Sequence, residues 1–411
     1  MKTFEHRLRF YLISGFLALS GILNGQDLQV LVQEALERNP EIQAFELQYD
    51  IASEKVREVN TVPNTEFGFG YFVSEPETRT GSQRFKISAM QMIPWFGTIT
   101  SRENYASSLA DSKYEDIVIA KRKLIASVSR SYYELYALKA KQAILTENID
   151  LLETYQTMAL TSVEVGKASA VDVLRLQIRQ NELQEMLQVL SHQYESKQIE
   201  FNKLLNRDDY TPVEVVDVLK VPEQPERHQP VNLTIHPELT RFDKLYASVE
   251  QSEIMNQKES NSMIGFGLDY IYVEKRPDLD FSDNGKDVLM PMISLSIPIF
   301  NKKYRSQTRQ NELKQLEIES QKKDRLNKLE SLLQKALNER ETASISHQTQ
   351  TRNLQEAKNA EEILIKNYET GTIDFMDVLD IQELQLKFQL SQVESVKSYY
   401  EQTTIINYLS T

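Results

Sequence analysis

Two copies of one unit follow each other in this chain, and this duplication constrains the fold more than any other feature. Four landmarks occur twice in the same order: Asn39-Pro40-Glu41 with His236-Pro237-Glu238, and residues 67–70, 93–96 and 165–174 with residues 264–267, 297–300 and 370–379. The offset is 197 residues for the first two pairs and 204 or 205 residues for the last two. Tandem units of this size predict one structural motif that is built twice.

The positions of proline and glycine predict that each unit contains two long helices. No proline occurs in residues 95–211 or after Pro298. Beyond the opening Gly97, these two spans contain one glycine each, Gly166 and Gly371. Both residue types disfavour helix interiors. Each span therefore predicts a helix, one turn and a second helix, with the glycine in the left-handed conformation at the helix end.

Leucine recurs at the spacing of a coiled coil within the first of these spans. Leu124, Leu138, Leu145 and Leu152 share one seven-residue register, and this period is typical of helices that pack along a continuous seam. A single helix over residues 98–165 has a length of about 100 Å, several times that of an ordinary globular helix.

The segment that precedes each long helix shows the alternation of β-strands. In repeat 1, Phe67, Phe69 and Tyr71 alternate with smaller or polar residues. This pattern predicts β-hairpins at 63–94 and 262–299, with strands of about ten residues, a length that fits a tilted membrane strand. The alternative is a small, half-buried soluble sheet. Because four strands do not close a membrane barrel and an open edge is not tolerated in lipid, the membrane interpretation requires other subunits to complete the ring.

Four methionines occupy alternate positions in these strands, and they are Met90, Met92, Met290 and Met292. Packing in a core or against lipid is the interpretation that the sequence favours. The alternative is a thioether path for copper(I), because soft sulfur ligands select that ion.

Charge, cysteine content and the N-terminus exclude several classes of protein. The formal net charge of −13 and the lack of a basic patch argue against nucleic-acid binding. The chain has no cysteine, so it has no disulfides, no thiolate chemistry and no lipidated cysteine. Residues 1–25 combine a basic start with an apolar run too short to span a bilayer, as in a secretory signal peptide. A membrane-anchoring helix is the alternative for this segment.

These patterns predict a mainly α-helical chain with a β-barrel contribution from its hairpins. The predicted segments are a signal peptide at 1–25, repeat 1 at 26–206, a connector at 207–235 and repeat 2 at 236–411. Repeat 1 contains an N-terminal helix and long helices at 98–165 and 170–206. Repeat 2 contains a first helix and long helices at 302–370 and 375–411.

This arrangement resembles the TolC family of outer-membrane efflux proteins. The motifs that carry the resemblance are residues 35–40 (Ala-Leu-Glu-Arg-Asn-Pro), the strand ends at Pro94 and Pro298, and the two glycine turns with the Asp-Val-Leu that follows each. The resemblance covers essentially the whole mature chain. It implies a homotrimer with a twelve-stranded barrel in the bacterial outer membrane and an α-helical tunnel in the periplasm.

The resemblance also assigns roles to the residues around the two glycine turns. It implies a periplasmic gate, in which Asp377 and Asp380 form acidic rings while hydrogen bonding by Tyr368 and Asp172 holds the closed state. Ile373 stands where studied members carry a basic residue, which argues against a basic–acidic lock at that position. The physical alternative for Asp172 and Asp377 is a helix N-terminal charge that follows a turn. The implied docking tip for the adaptor protein consists of Val165, Gly166, Val173, Leu174, Gly371, Val378 and Leu379.

The function that follows from the resemblance is a passive exit duct for an efflux pump, with a periplasmic adaptor and an inner-membrane pump as partners. Sibling families in metal efflux, drug efflux and protein secretion share its motifs. The sequence shows no phosphate-binding glycine loop, no metal-ligand spacing and no cofactor motif, and an enzyme is not predicted. The alternative is a periplasmic coiled-coil adaptor or scaffold. An adaptor usually has one helical hairpin flanked by a lipoyl-like β domain, whereas this chain has two hairpins.

Overall fold

A computed structural model describes residues 27–166, 169–222, 231–278 and 280–410. The predicted signal peptide lies outside these residues, as does part of the predicted connector. The helices are α1 Leu28–Arg38, α2 Pro40–Val59, α3 Thr98–Glu164, α4 Ala170–Leu204, α5 Pro237–Glu259, α6 Lys303–Glu369 and α7 Phe375–Leu409. The strands are β1 Glu66–Tyr71, β2 Glu77–Thr78, β3 Gly81–Pro94, β4 Met263–Glu274 and β5 Val288–Ser296.

The repeated sequence folds into repeated elements of equal length. Helices α3 and α6 have 67 residues each, and helices α4 and α7 have 35 residues each. In each repeat the first residue of the shorter helix lies 72 residues after the first residue of the longer one. Within the described residues, no helix combines the length and the apolar composition that a membrane-crossing helix needs.

The N-terminal helix predicted for repeat 1 is two helices, α1 and α2. Asn39 lies between them with an extended backbone, and its side chain accepts hydrogen bonds from the backbone N–H groups of Glu41 and Ile42. Pro40 then occupies the first helical position, where its missing N–H costs nothing. His236 and Pro237 start α5 in the same way, because the His236 side chain accepts from the backbone N–H of Glu238.

The chain folds as two compact units, and each unit draws on both repeats. Unit 1 comprises the described residues up to Glu34 together with 128–222 and 343–399. Its apolar core is formed by helices α3, α4, α6 and α7, which contribute Leu145, Leu152, Leu176, Leu183, Phe375, Val378 and Leu386 among others.

Unit 2 comprises residues 35–127, the described part of 231–342, and 400–410. It contains all described strands, in one antiparallel sheet with the order β1-β3-β4-β5, and β2 pairs with the outer end of β3. A separate apolar cluster in this unit includes Leu239, Leu329 and Leu409.

The two faces of the sheet differ in chemistry. One face carries large apolar side chains that are exposed in the single chain, for example Phe69 at 72% and Ile293 at 78%. The register places the alternate residues on the other face, and these include Lys86, Ser88, Asp269 and Ser294. An extended exposed apolar face backed by a polar face is the pattern of a strand that separates lipid from water.

Candidate functional site

The two glycine turns of unit 1 form the region to which the sequence assigned a site. Gly166 and Gly371 have φ angles of +73° and +74°, as predicted. The backbone N–H of Gly371 donates to the carbonyl of Tyr368 at 2.9 Å, and that of Thr372 donates to Asn367 at 3.0 Å. These bonds close the C-terminus of α6 in the pattern that needs a left-handed residue.

The helices that leave the turns start with different caps. At α4, the Ser169 side chain accepts from Val171 N–H at 3.2 Å, and the Asp172 carboxylate accepts from Ser169 N–H at 3.3 Å. At α7, the Asp374 carboxylate accepts from Met376 N–H at 3.1 Å. Asp172 therefore has the helix-capping role that was the physical alternative to a gate role, with Arg175 at 3.9 Å from its carboxylate.

Three aromatic rings pack behind the second turn. Phe375 is 1% exposed and lies between Tyr155 and Tyr368, with ring centroids 5.9 and 4.9 Å from its own and both contacts close to edge-to-face. The Tyr155 hydroxyl donates to Glu361. Burial, reinforced by this carboxylate, raises the pKa of Tyr155. The cluster fixes the exit of α6 and the start of α7 against α3.

The four predicted gate residues lie in this region in two different environments. Asp377 and Asp380 are exposed and lie three residues apart on α7, so they project from the same face of the helix. Asp172 and Tyr368 are buried. The Tyr368 hydroxyl has no hydrogen-bond partner in the described residues, so the bond to Asp172 that the resemblance implies is not formed here. The gate roles of all four residues stay predictions.

The predicted docking tip divides into exposed and buried residues. Val165 and Leu174 are 64% and 57% exposed, and both glycines are exposed as well. Val173 and Val378 belong to the core of unit 1, and Leu379 packs against that core. In the single chain the two valines pack inside this core, whereas Val165 and Leu174 are open to solvent, and the docking role of all seven residues stays a prediction.

Behind the tip, polar side chains link three helices, and sequence reasoning missed them. The Asn148 amide on α3 exchanges hydrogen bonds with Gln382 and Gln389 on α7, at 2.8 and 3.0 Å. Gln385 donates to Glu361 on α6 at 2.8 Å. Polar residues at seam positions of a coiled coil fix the helix register. Asn148 lies outside the register of Leu138, Leu145 and Leu152, so the leucine repeat gave no signal for it.

An ion pair joins the two repeats through helices α4 and α7. Arg179 on α4 lies 3.6 Å from Glu383 on α7, while its guanidinium also contacts Glu182 at 2.9 Å. This pair is a basic–acidic contact between the repeats at a position other than that of Ile373. Among the described residues, no cluster of three or more His, Cys, Asp or Glu side chains could hold a metal ion.

Comparison with known proteins places this fold. Residues 31–207 match the family model of outer membrane efflux proteins. This match confirms the resemblance that the sequence motifs indicated. Among curated proteins, none matches the sequence.

Solved channel structures have the same fold over nearly the whole chain. CusC aligns with a TM-score of 0.76 and 13% identity, covering 93% of this chain and 92% of that one. The outer membrane protein VceC from Vibrio cholerae gives 0.73 and 14%, covering 93% and 95%. The open state of the MtrE outer membrane channel from Neisseria gonorrhoeae gives 0.74 and 15%, covering 94% and 89%.

Proposed function

We propose, on the premise that residues 31–207 are an outer membrane efflux protein domain, that this chain is the outer-membrane exit duct of a tripartite efflux pump. The observation that carries the proposal is the sheet of unit 2. One face is apolar and exposed, and the opposite face combines polar side chains with methionines. The outermost strands β1 and β5 each pair on one side only within the described residues.

Unpaired strand edges are costly in lipid, because no water is present to bond the free N–H and C=O groups. The four main strands of one chain, β1, β3, β4 and β5, are too few to close a barrel. Sister protomers that continue the sheet from β5 to the next β1 satisfy both edges. Three protomers give the twelve-stranded barrel that the family resemblance implies, so the proposed assembly is a homotrimer.

The gate of this duct is proposed to lie at the glycine turns. Asp377 and Asp380 are exposed on one face of α7, where threefold symmetry brings three copies of each carboxylate around the axis. Like charges at a narrow axis repel anions and attract cations. We assign the constriction to these two residues. We include Asp172 and Tyr368 in the proposed gate because they lie next to the glycine turns, at the start of α4 and at the end of α6.

The adaptor is proposed to dock at the exposed apolar part of the tip. Val165, Val171, Leu174 and Ile178 are each more than half exposed. Apolar side chains at a helix turn suit contact with a helical hairpin of a periplasmic adaptor protein, which connects the duct to an inner-membrane pump. The duct conducts substrates passively and catalyses no reaction. The energy for transport comes from the pump.

Cell fractionation separates this function from the alternative of a periplasmic scaffold. An exit duct is recovered in the outer-membrane fraction, needs detergent for extraction, and migrates as a trimer on gels unless the sample is boiled. A scaffold is released with the periplasmic contents as a water-soluble protein, and that result would refute the proposal.

A further inference from the structure

The polar face of the sheet carries a cluster of methionines that the exit-duct function does not explain. In the register, Met90 and Met292 flank Gly267, while Met92 and Ser294 flank Gly265. These side chains therefore come from β3 and β5 and lie on either side of two glycines of β4. They point away from the exposed apolar face, so neither lipid contact nor an apolar core accounts for them.

The two glycines leave the space in which the Met90 and Met92 sulfur atoms lie, with the methyl end of Met292 beside Met90. A methyl group placed on Gly265 would lie 2.5 Å from the Met92 sulfur, 3.3 Å from the Met90 sulfur and 2.2 Å from the Ser294 hydroxyl. A methyl group on Gly267 would lie 3.2 Å from the Met90 sulfur and 3.3 Å from the Met292 methyl carbon. Neither glycine has a positive φ angle, so their role is to leave room rather than to permit a turn.

The remaining neighbours give the cluster a polar surrounding. The Ser294 hydroxyl lies 3.9 Å from the Met90 sulfur and 3.8 Å from the Met92 sulfur. Asp269, the next residue of β4 on this face, is fully buried and forms an ion pair with Lys86. The positive charge of Lys86 is compensated by this carboxylate, so the approach of a monovalent cation is not opposed.

We propose that Met90, Met92 and Met292 form a binding site for a soft monovalent metal ion, copper(I) or silver(I), on the sheet face that lines the channel. Thioether sulfur is a soft, polarisable ligand that selects copper(I) over the hard cations of the periplasm. Ser294 supplies an oxygen beside the sulfur atoms. The assignment of this face to the lumen rests on the proposed function, whereas the proximity of the Met90 and Met92 sulfur atoms and the Met292 methyl group does not.

A thioether site suits an ion in transit. Methionine is neutral and carries no proton to be displaced, unlike cysteine or histidine ligands. The affinity is therefore independent of pH between about 5 and 8, where those other ligands titrate. A site in a conduction path must bind well enough to collect the ion and weakly enough to release it, and neutral thioether ligands meet both conditions.

Silver(I) nitrate binding to the purified full-length protein in chloride-free detergent solution tests the site. We expect the wild-type protein to bind silver(I) in proportion to protomers, with sulfur neighbours in its X-ray absorption spectrum and equal affinity at pH 5.5 and 7.5. The triple variant Met90→Leu, Met92→Leu, Met292→Leu should lose this binding. Leucine has nearly the volume of methionine, so packing is retained.

The matched control also replaces three methionines with leucine, but these three lie in the helices. Met158→Leu, Met186→Leu and Met255→Leu should leave silver(I) binding unchanged. If both triple variants bind silver(I) as the wild type does, or if the spectrum shows only oxygen or nitrogen neighbours, the proposed site is wrong.

A second variant keeps every sulfur and removes only the space. Gly265→Ala places a methyl group where the Met90 and Met92 sulfur atoms converge, and it should weaken silver(I) binding even if the triple variant fails to fold. Undiminished binding by a folded Gly265→Ala protein would overturn the proposal. Channel currents carried by sodium report on the exit-duct function separately, so a protein that conducts but binds no silver(I) contradicts this site alone.

Discussion

Two tyrosines contact the same phenylalanine but differ in the environment of their hydroxyl groups. Tyr155 and Tyr368 both pack against Phe375. The Tyr155 hydroxyl donates to Glu361, whereas the buried Tyr368 hydroxyl has no hydrogen-bond partner in the described residues. The substitutions Tyr155→Phe and Tyr368→Phe therefore form a matched pair, since each removes one oxygen atom and leaves the aromatic packing in place.

Only one of the two changes should lower stability. A buried polar group without a partner costs about 1–3 kcal/mol, so Tyr368→Phe should leave the free energy of unfolding unchanged or raise it by up to that amount. A hydrogen bond to a charged group contributes about 1.5–3 kcal/mol, so Tyr155→Phe should lower the stability of the tip by about that amount. Glu361 keeps its bond from Gln385 in this variant, which limits the loss.

Amide hydrogen exchange of the intact protein in detergent measures the effect locally, because it reports the opening free energy of each segment. Exchange in the segments around Tyr155 and Phe375 should accelerate in Tyr155→Phe and stay the same or slow in Tyr368→Phe. If Tyr368→Phe accelerates exchange as much as Tyr155→Phe does, its hydroxyl has a partner in the protein, and Asp172 is the residue that the family resemblance nominates.

Two further predictions concern the gate and the response to acid. Asp377→Ala combined with Asp380→Ala should raise single-channel conductance in planar bilayers, because the carboxylates proposed to constrict the axis are removed. The stability of unit 2 should fall as the pH falls below about 6.5, since burial lowers the pKa of His236 and the unfolded chain then binds a proton that the folded chain does not. His236→Asn retains a capping side chain and should flatten this dependence, measured by thermal denaturation between pH 5 and 7.5.

Each of these predictions has a control within the chain. Asp150→Ala with Glu153→Ala removes an exposed acidic pair at the same spacing on α3, and conductance should not change. Equal effects of the two double variants would refute the gate assignment. His192 is exposed on α4, so His192→Asn should leave the pH dependence as it is in the wild type. An unaltered slope in His236→Asn would show that other groups cause it.

The regular parts of the fold were predictable because they depend on local sequence. Proline and glycine positions alone predicted helices over 98–165 and 302–370, and the structure has them at Thr98–Glu164 and Lys303–Glu369. The left-handed glycines followed from the same reasoning, because a helix end next to a single glycine has few other ways to turn. Repetition of the sequence then predicted repetition of the elements.

The site was predicted less completely because a seven-residue period does not identify the partner of each seam residue. Val173 and Val378 were placed on the docking surface by resemblance, and only the packing of the facing helices shows them to be buried. The break between α1 and α2 at Asn39-Pro40 was missed because the helical periodicity continues on both sides. The convergence of Met90 and Met92 over Gly265 depends on pairing between strands of different repeats, which no local pattern reveals.

Conductance of the purified full-length protein in a planar lipid bilayer tests the central claim most directly. If sister protomers complete the barrel, discrete current steps should appear when the detergent-solubilised trimer is added and should be absent when the sample has been boiled to monomers. A protein that stays monomeric in water without detergent and produces no current steps would contradict the exit duct, its gate and its docking tip together.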